Sequence, residues 1–377
     1  QPSITVGRDP LGTYVGGGVS FLFSDMLGNQ QLAAVVQASG SIQDIGGVVA
    51  YEHRRTRWNL GTVIEQIPFV TGSFATGIAQ VDGRDVYVQR SDLFRETHRT
   101  VTGYAAYPFS RAQRFEVGAS YKNISFGREV RTDLFDLNTG QLLQDEREDL
   151  DAPNALNLGE ASAALVYDTS VFGATSPILG RRYRLEAAPT VGSLNYTGLL
   201  ADIRQYVMPI RPYTIAARVL HYGRYGEGGE DPRLQALYLG YPNLIRGYDF
   251  DSFDASECRS TTGDCPVFDQ LMGSRVLVGN LELRFPLFGA FGARNFYGPL
   301  PIEMLAFADA GVAWSRGQTV RFERGQSTAT ERRFVTSVGG GLRLNAFGYA
   351  IIEVDYVKPL ERPQKNWIWQ FNVHPGF

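Results

Sequence analysis

The feature that most limits what this chain can fold into is an alternation of side-chain character with a period of two, carried almost from end to end. Successive side chains of a strand point to opposite faces, so this pattern describes strands with two unlike surfaces. The last segment, residues 366–377, shows it best. Trp367, Trp369, Phe371, Val373 and Phe377 share one face, and Gln370, Asn372 and His374 the other, with Ile368 the exception. So many aromatic side chains on one face resemble a lipid-facing surface more than a water-facing one, although a sandwich core strand carries the same pattern.

Alternating segments recur at 3–8, 14–23, 32–39, 45–53, 58–69, 100–109, 114–126, 160–168, 182–193, 199–209, 213–225, 275–287, 302–314, 334–345, 349–360 and 366–377. That makes about sixteen strands, an even number of the kind outer-membrane barrels use. Longer polar connections are expected near 70–95, 127–157, 226–272 and 316–332, and most of the intervening ones are short. Long loops on one side and short turns on the other is the arrangement of such barrels. No helical segment, linker or repeat period interrupts it, so residues 1–377 read as one all-β domain. Abundant Gly (42), Tyr (19) and Phe (23) beside only 4 Met suit strands and turns better than helices. No run of about 18 apolar residues occurs, which excludes a transmembrane helix but not a membrane barrel.

The charge balance, 36 basic against 39 acidic residues, gives no basic field for a nucleic acid. A nucleophile elbow, a phosphate loop and a zinc signature are all missing, and His53, His98, His221 and His374 are scattered without metal spacing. The expectation is a protein that is not an enzyme and needs no metal or cofactor. Gly339-Gly340-Gly341 lies inside an alternating segment and reads as strand curvature. Cys258 and Cys265 sit in a short polar stretch that suits a small disulfide loop in an oxidising compartment, with two free thiols as the alternative.

One cation stands out. Arg246 lies in Leu239-Gly-Tyr-Pro-Asn-Leu-Ile-Arg-Gly-Tyr-Asp-Phe250, an otherwise apolar, Gly-containing turn. Glu282 and Asp309 each stand among apolar neighbours further along the chain. A guanidinium fork matches a carboxylate bidentately, so the three residues are suited to fasten a loop to two neighbouring strands. Ordinary solvated charges in a polar barrel interior are the competing reading.

Leu244-Ile245-Arg246-Gly247-Tyr248 resembles the Arg-Gly-Phe/Tyr motif in the sixth extracellular loop of the BamA/TamA-like barrels, the bacterial surface antigen family. The resemblance spans nearly the whole chain. It includes Val19-Ser20-Phe21 with Leu27-Gly28, Tyr107-Pro108-Phe109, Leu281-Glu282 and Phe307-Ala308-Asp309-Ala310-Gly311. It implies a transmembrane antiparallel barrel in a Gram-negative outer membrane, with loop six folded into the lumen and Arg246 held by Glu282 and Asp309. Cys258 and Cys265 fall in that loop, where some relatives carry a cystine. Trp369, Phe371 and Phe377 resemble the aromatic C-terminal signal of client barrels. Implied partners are outer-membrane lipid and lipopolysaccharide, unfolded client outer-membrane proteins, or a fused or associated periplasmic domain. The implied role is insertion or translocation of proteins, against a barrel that anchors or exports its own fused domain or a simple diffusion pore. The sequence begins at Gln1 without a basic, apolar leader, and is expected to be the barrel portion of a longer protein.

Overall fold

The computed structural model describes residues 2–9, 12–39, 45–81, 83–254, 256–258, 265–289, 296–297 and 300–375. The chain resolves into two compact units. One holds Gln1–Tyr107, Glu116–Ser162 and Thr190–Leu194; the other holds Pro108–Phe115, Ala163–Pro189 and Asn195–Phe377.

In the first unit, β1 (Pro2–Asp9), β2 (Gly12–Ser24), β3 (Gln30–Ser39), β4 (Ile45–His53), β5 (Asn59–Val81) and β6 (Arg84–Pro108) form an antiparallel meander, each strand paired with the next. β7 (Gln113–Asp136) pairs with β8 (Leu142–Leu150), and β9 (Leu156–Asp168) follows.

The long connections expected at 70–95 and 127–157 are mostly strand. β5 and β6 stay paired from Asn59↔Ala106 to Val81↔Arg84, turning only at the tip, and β7 and β8 pair across the acidic stretch. The residues that looked like a polar loop are interleaved with Val86, Tyr87, Val88 and Phe94, which suit a pleated surface and give it aromatic cross-contacts such as Phe94 with Phe126.

The second unit contains β10 (Val171–Phe172), β11 (Pro177–Gly192), β12 (Tyr196–Ile210) and β13 (Tyr213–Tyr225). Between β13 and the next long strand lies the connection 226–274; among its described residues the strand pieces are β14 (Leu237–Tyr238) and β15 (Met272–Gly273), which pair with each other. β16 (Arg275–Pro286), β17 (Ile302–Trp314), β18 (Thr319–Arg324), β19 (Glu331–Ala346), β20 (Ala350–Pro359) and β21 (Ile368–Pro375) complete the chain. Antiparallel pairing runs β12–β13–β16–β17–β19–β20–β21. β18 lies parallel to β19, so the connection expected at 316–332 also carries a strand.

Two unlike faces run through this sheet. On β16, Leu281 and Leu283 are exposed while Glu282 and Arg284 are buried; on β21, Trp369 and Phe371 are exposed while Gln370 is buried. The loop 226–274 covers the polar face. Its Leu239, Ile245, Tyr248 and Leu271 pack with Leu220, Val276, Val278, Ala313 and Val335 in one apolar cluster.

Candidate functional site

The turn that carries the site is set by local bonding: the Leu244 and Ile245 amides both donate to the Tyr241 carbonyl, 2.8 and 3.1 Å away. Ile245 then enters the apolar cluster, and the next side chain in sequence, Arg246, is thrust against the sheet. Asn280 on β16 receives the turn through Nδ2, which donates to the Leu244 carbonyl at 2.8 Å and to Asp309 Oδ1 at 2.9 Å.

Arg246 is only 4% exposed. Its Nε and Nη2 donate to Asp309 Oδ2 and Oδ1 at 2.8 and 2.9 Å, the parallel fork expected of a guanidinium and a carboxylate. Nη2 lies 2.9 Å from Glu282 Oε1, and Nη1 lies 3.6 Å from Glu353 Oε1 on β20. The guanidinium sits over the Phe307 ring, 3.5 Å from its centroid. Phe307 shares a face with Asp309 and is the platform for the cation. Burial alone would lower the Arg246 pKa, but Glu282 and Asp309 outweigh it and the net direction is upward. Glu282 is shared further, with Arg284 Nη2 at 2.5 Å and Arg343 Nη1 at 3.1 Å, and Arg343 also binds Glu353 at 2.9 Å. Arg246 therefore joins a buried ion network spanning β16, β17, β19 and β20.

Gly247 and Tyr248 complete the lock. Gly247 has φ +85°, and an added Cβ would meet Val357 Cγ1 at 2.8 Å, so both backbone conformation and space require glycine. Its amide donates to Gln370 Oε1 on β21 at 3.1 Å. Tyr248 is fully buried; its hydroxyl donates to the Thr336 carbonyl at 3.0 Å and lies 3.1 Å from Glu361 Oε2. Burial, reinforced by Glu361, moves the Tyr248 pKa up, so the phenol keeps its proton.

Sequence reading missed a second arginine. Arg362, from the connection between β20 and β21, is 1% exposed and grips the same loop a turn later. Nη1 donates to the Gly247 carbonyl (2.8 Å) and Ser252 Oγ (2.7 Å), Nη2 donates to the Ser252 carbonyl (2.8 Å), and the fork holds Glu257 at 2.7 and 2.9 Å. Its guanidinium lies 3.8 Å from the Phe253 ring centroid. Nothing in Leu360-Glu361-Arg362-Pro363 marks it out; the only available signal was that its position faces the loop after the strands have paired. Arg343 and Glu353, which share the network, were not anticipated as its members.

Asp355, beside them on β20, is 0% exposed, and among the described residues neither carboxylate oxygen has a hydrogen-bond donor. It adjoins the Glu353 carboxylate, which offers no proton when ionised. Gly339 and Gly341 leave the space that Phe307 and Asp355 fill, so the glycine run in β19 serves clearance for the site. Cys258 and Cys265 form a disulfide within the loop. Trp369 and Phe371 project from β21, 74% and 65% exposed, and Phe377 lies outside the described residues. Among the described residues no group of three or more His, Cys, Asp or Glu side chains could hold a metal ion.

A family model described as the Omp85 superfamily domain matches residues 67–377. The chain belongs to the Omp85 superfamily. That span takes in Arg246, Glu282, Asp309, Arg362 and every strand they touch. A comparison with curated proteins finds no match. Among solved structures the chain is similar to BamA from Haemophilus ducreyi lacking POTRA domains 1–3, with TM-score 0.60 and 15% identity over 99% of this chain and 69% of that one. It is also similar to CdiB from Acinetobacter baumannii, with TM-score 0.54 and 13% identity over 97% of this chain and 57% of that one. CdiB from Escherichia coli gives TM-score 0.51 and 12% identity over 100% of this chain and 62% of that one. At these identities the likeness fixes the fold: this Omp85 protein is an antiparallel β-barrel of the Gram-negative outer membrane. The chain spans less than two thirds of either CdiB chain.

Proposed function

We propose that this Omp85 barrel assists the insertion of other proteins into the outer membrane, acting without covalent chemistry. The observation that carries the reading is the Arg246 lock: an Omp85 barrel that spends a buried arginine, a φ-positive glycine and a fully buried tyrosine on pinning one loop to its polar face. That face is read as the lumen, and loop six as its plug. A plain diffusion pore gains nothing from such a plug.

In this mechanism the work is done by backbone hydrogen bonds. A strand entering lipid cannot leave its edge unpaired, because no water is present to satisfy it. A seam between the first and last strands that exchanges bonds with an incoming strand lowers that barrier. Pro375 near the end of β21 lacks a ladder donor, which suits weak pairing at that end of the last described strand. The exposed Trp369 and Phe371 then serve as lipid anchors, and with Phe377 they supply the mark by which such barrels are themselves recognised. Export of a dedicated partner is the second reading, supported by the likeness to the two CdiB structures.

Depletion of the protein in its native bacterium, followed by quantitation of the outer-membrane proteome, separates the two. A fall in many barrel proteins is the expected result. Loss of a single surface component, or of none, assigns a dedicated exporter or anchor instead.

A further inference from the structure

The distal half of β5 is an open sheet edge of unusual chemistry. β4 stays paired with β5 only as far as Gly47↔Gln66, whereas β5 continues to Val81 with β6 on its other side. Among the described residues nothing pairs with the outer edge of residues 71–81, and every one of those side chains is exposed. Among the described residues, the backbone donors and acceptors along that edge have no partner strand.

Sheet edges are normally protected by charge, proline or a covering element. Here the charge is on the wrong strand. From Ile67 to Val81 there is no Asp, Glu, Lys, Arg or His, and Pro68 is the only proline, while the covered strand β6 carries Arg84, Asp85, Arg90, Asp92 and Arg95. The edge instead presents Val70, Phe74, Ile78 and Val81, at 38%, 37%, 69% and 38% exposure, with Thr71 and Thr76 between them. A strand of about 9–11 residues crosses a bilayer; taking these as Asn59–Phe69, the stretch that includes the residues paired with β4, the rest of β5 projects beyond the wall by roughly 40 Å at about 3.3 Å per residue. On that placement lipid does not cover this edge.

We propose that residues 71–81 are a docking edge for an extended, uncharged segment of a polypeptide that the barrel inserts or exports, which adds itself as a strand beside β5. What a bare ladder accepts is another strand, and the absence of charge selects a segment rich in β-branched and aromatic residues. A second copy of this chain fits less well. Two copies in one membrane point their β5 strands the same way and meet in parallel, the less stable arrangement, whereas a free segment pairs antiparallel. The source of the segment rests on the insertion or translocation reading; the edge itself does not.

The test uses the full chain in lipid nanodiscs and a fluorescein-labelled peptide of alternating Thr and Val, about ten residues long. Binding is followed by anisotropy, and the amides of residues 71–81 by hydrogen exchange. The expected result is binding with protection confined to that edge. It is lost when two central peptide residues are proline, weakened about tenfold or more in the double variant Ser73→Lys, Thr76→Lys, and unchanged in Asn138→Lys at the exposed β7–β8 turn. Equal binding of the proline peptide, or no protection at residues 71–81, overturns the proposal. Protection that rises with protein concentration without peptide assigns the edge to a second copy and also overturns it. Each of these results is independent of the proteome measurement, so failure here leaves the insertion reading standing.

Discussion

Arg246 shows how much one side chain can be asked to hold. Removing one partner of a buried ion pair typically costs about 3–5 kcal/mol, because the carboxylates left behind stay buried without their counter-charge. Arg246→Ala is expected to release the turn from Asp309 and Glu282 and to raise hydrogen exchange at residues 239–250 while the sheet stays folded. Arg246→Lys, which keeps the charge but not the planar fork, is expected to recover only part of the protection. Unchanged exchange in both variants would remove the lock from the mechanism. Asp355 predicts the opposite sign. Asp355 is buried beside the Glu353 carboxylate with no donor to its oxygens, so Asp355→Asn, whose amide can donate to Glu353 without carrying charge, is expected to raise the thermal midpoint. A fall would mean that the carboxylate is satisfied in a way the structure does not show. Much of this site was legible in the chain, because a cation in an apolar turn and carboxylates at interior parity are local signals. Phe307 was legible only as a disturbance of that parity, and Arg362 was not legible, since its partners lie more than a hundred residues away in sequence and its own neighbourhood looks like a polar turn.

Between elements, the connection 226–274 is held at two points, through Arg246 by β16 and β17 and through Arg362 by the β20–β21 connection. Because both grip the segment around Gly247, their removal should not be additive. Arg362→Met is expected to expose residues 250–258 to protease while leaving the Arg246 turn protected, and the double variant to free the whole loop. The same segment carries a pH dependence. Burial, aided by Asp251 and opposed by Arg362, raises the Asp249 carboxyl from an ordinary 3.8 to about 6. A carboxyl whose folded pKa is raised contributes stability that is full below its unfolded value and is lost as pH rises through the folded one. Protease resistance of the segment around Asp249 is thus expected to fall between pH 4 and pH 6.5, and Asp249→Asn to hold the acid-pH resistance at neutrality. A flat profile in the unaltered protein would contradict it. The hairpin of β5 and β6 was the element least legible from sequence. Its charges and glycines looked like loop composition, and only register with a partner strand distinguishes a polar connection from a strand whose polar side faces water.

For the molecule as a whole, the alternation that writes the strands also states where the protein resides. Leu281, Leu283, Leu342, Trp369, Phe371 and Val373 are all exposed, between buried Glu282, Arg284 and Gln370. An apolar band of this kind is unfavourable in water and neutral in hydrocarbon, so the bilayer acts as the missing half of the core. The fold places that requirement on position: a charge on the apolar face near mid-bilayer costs about 2–4 kcal/mol, falling toward zero at the interfaces. Leu281→Arg is therefore expected to lower the free energy of unfolding from phosphocholine vesicles by that amount, measured by reversible urea titration, while Leu281→Ala costs less. Gln326→Arg, on an exposed position beyond β18, should change it little. If Leu281→Arg and Gln326→Arg were equally mild, the exposed face of β16 would lie in water, and the strand order would need a membrane boundary elsewhere. A large cost at Leu281 alone places β16 across the bilayer with Glu282 and Arg284 turned away from lipid, the orientation in which the Arg246 network is shielded from the membrane by the strands that hold it.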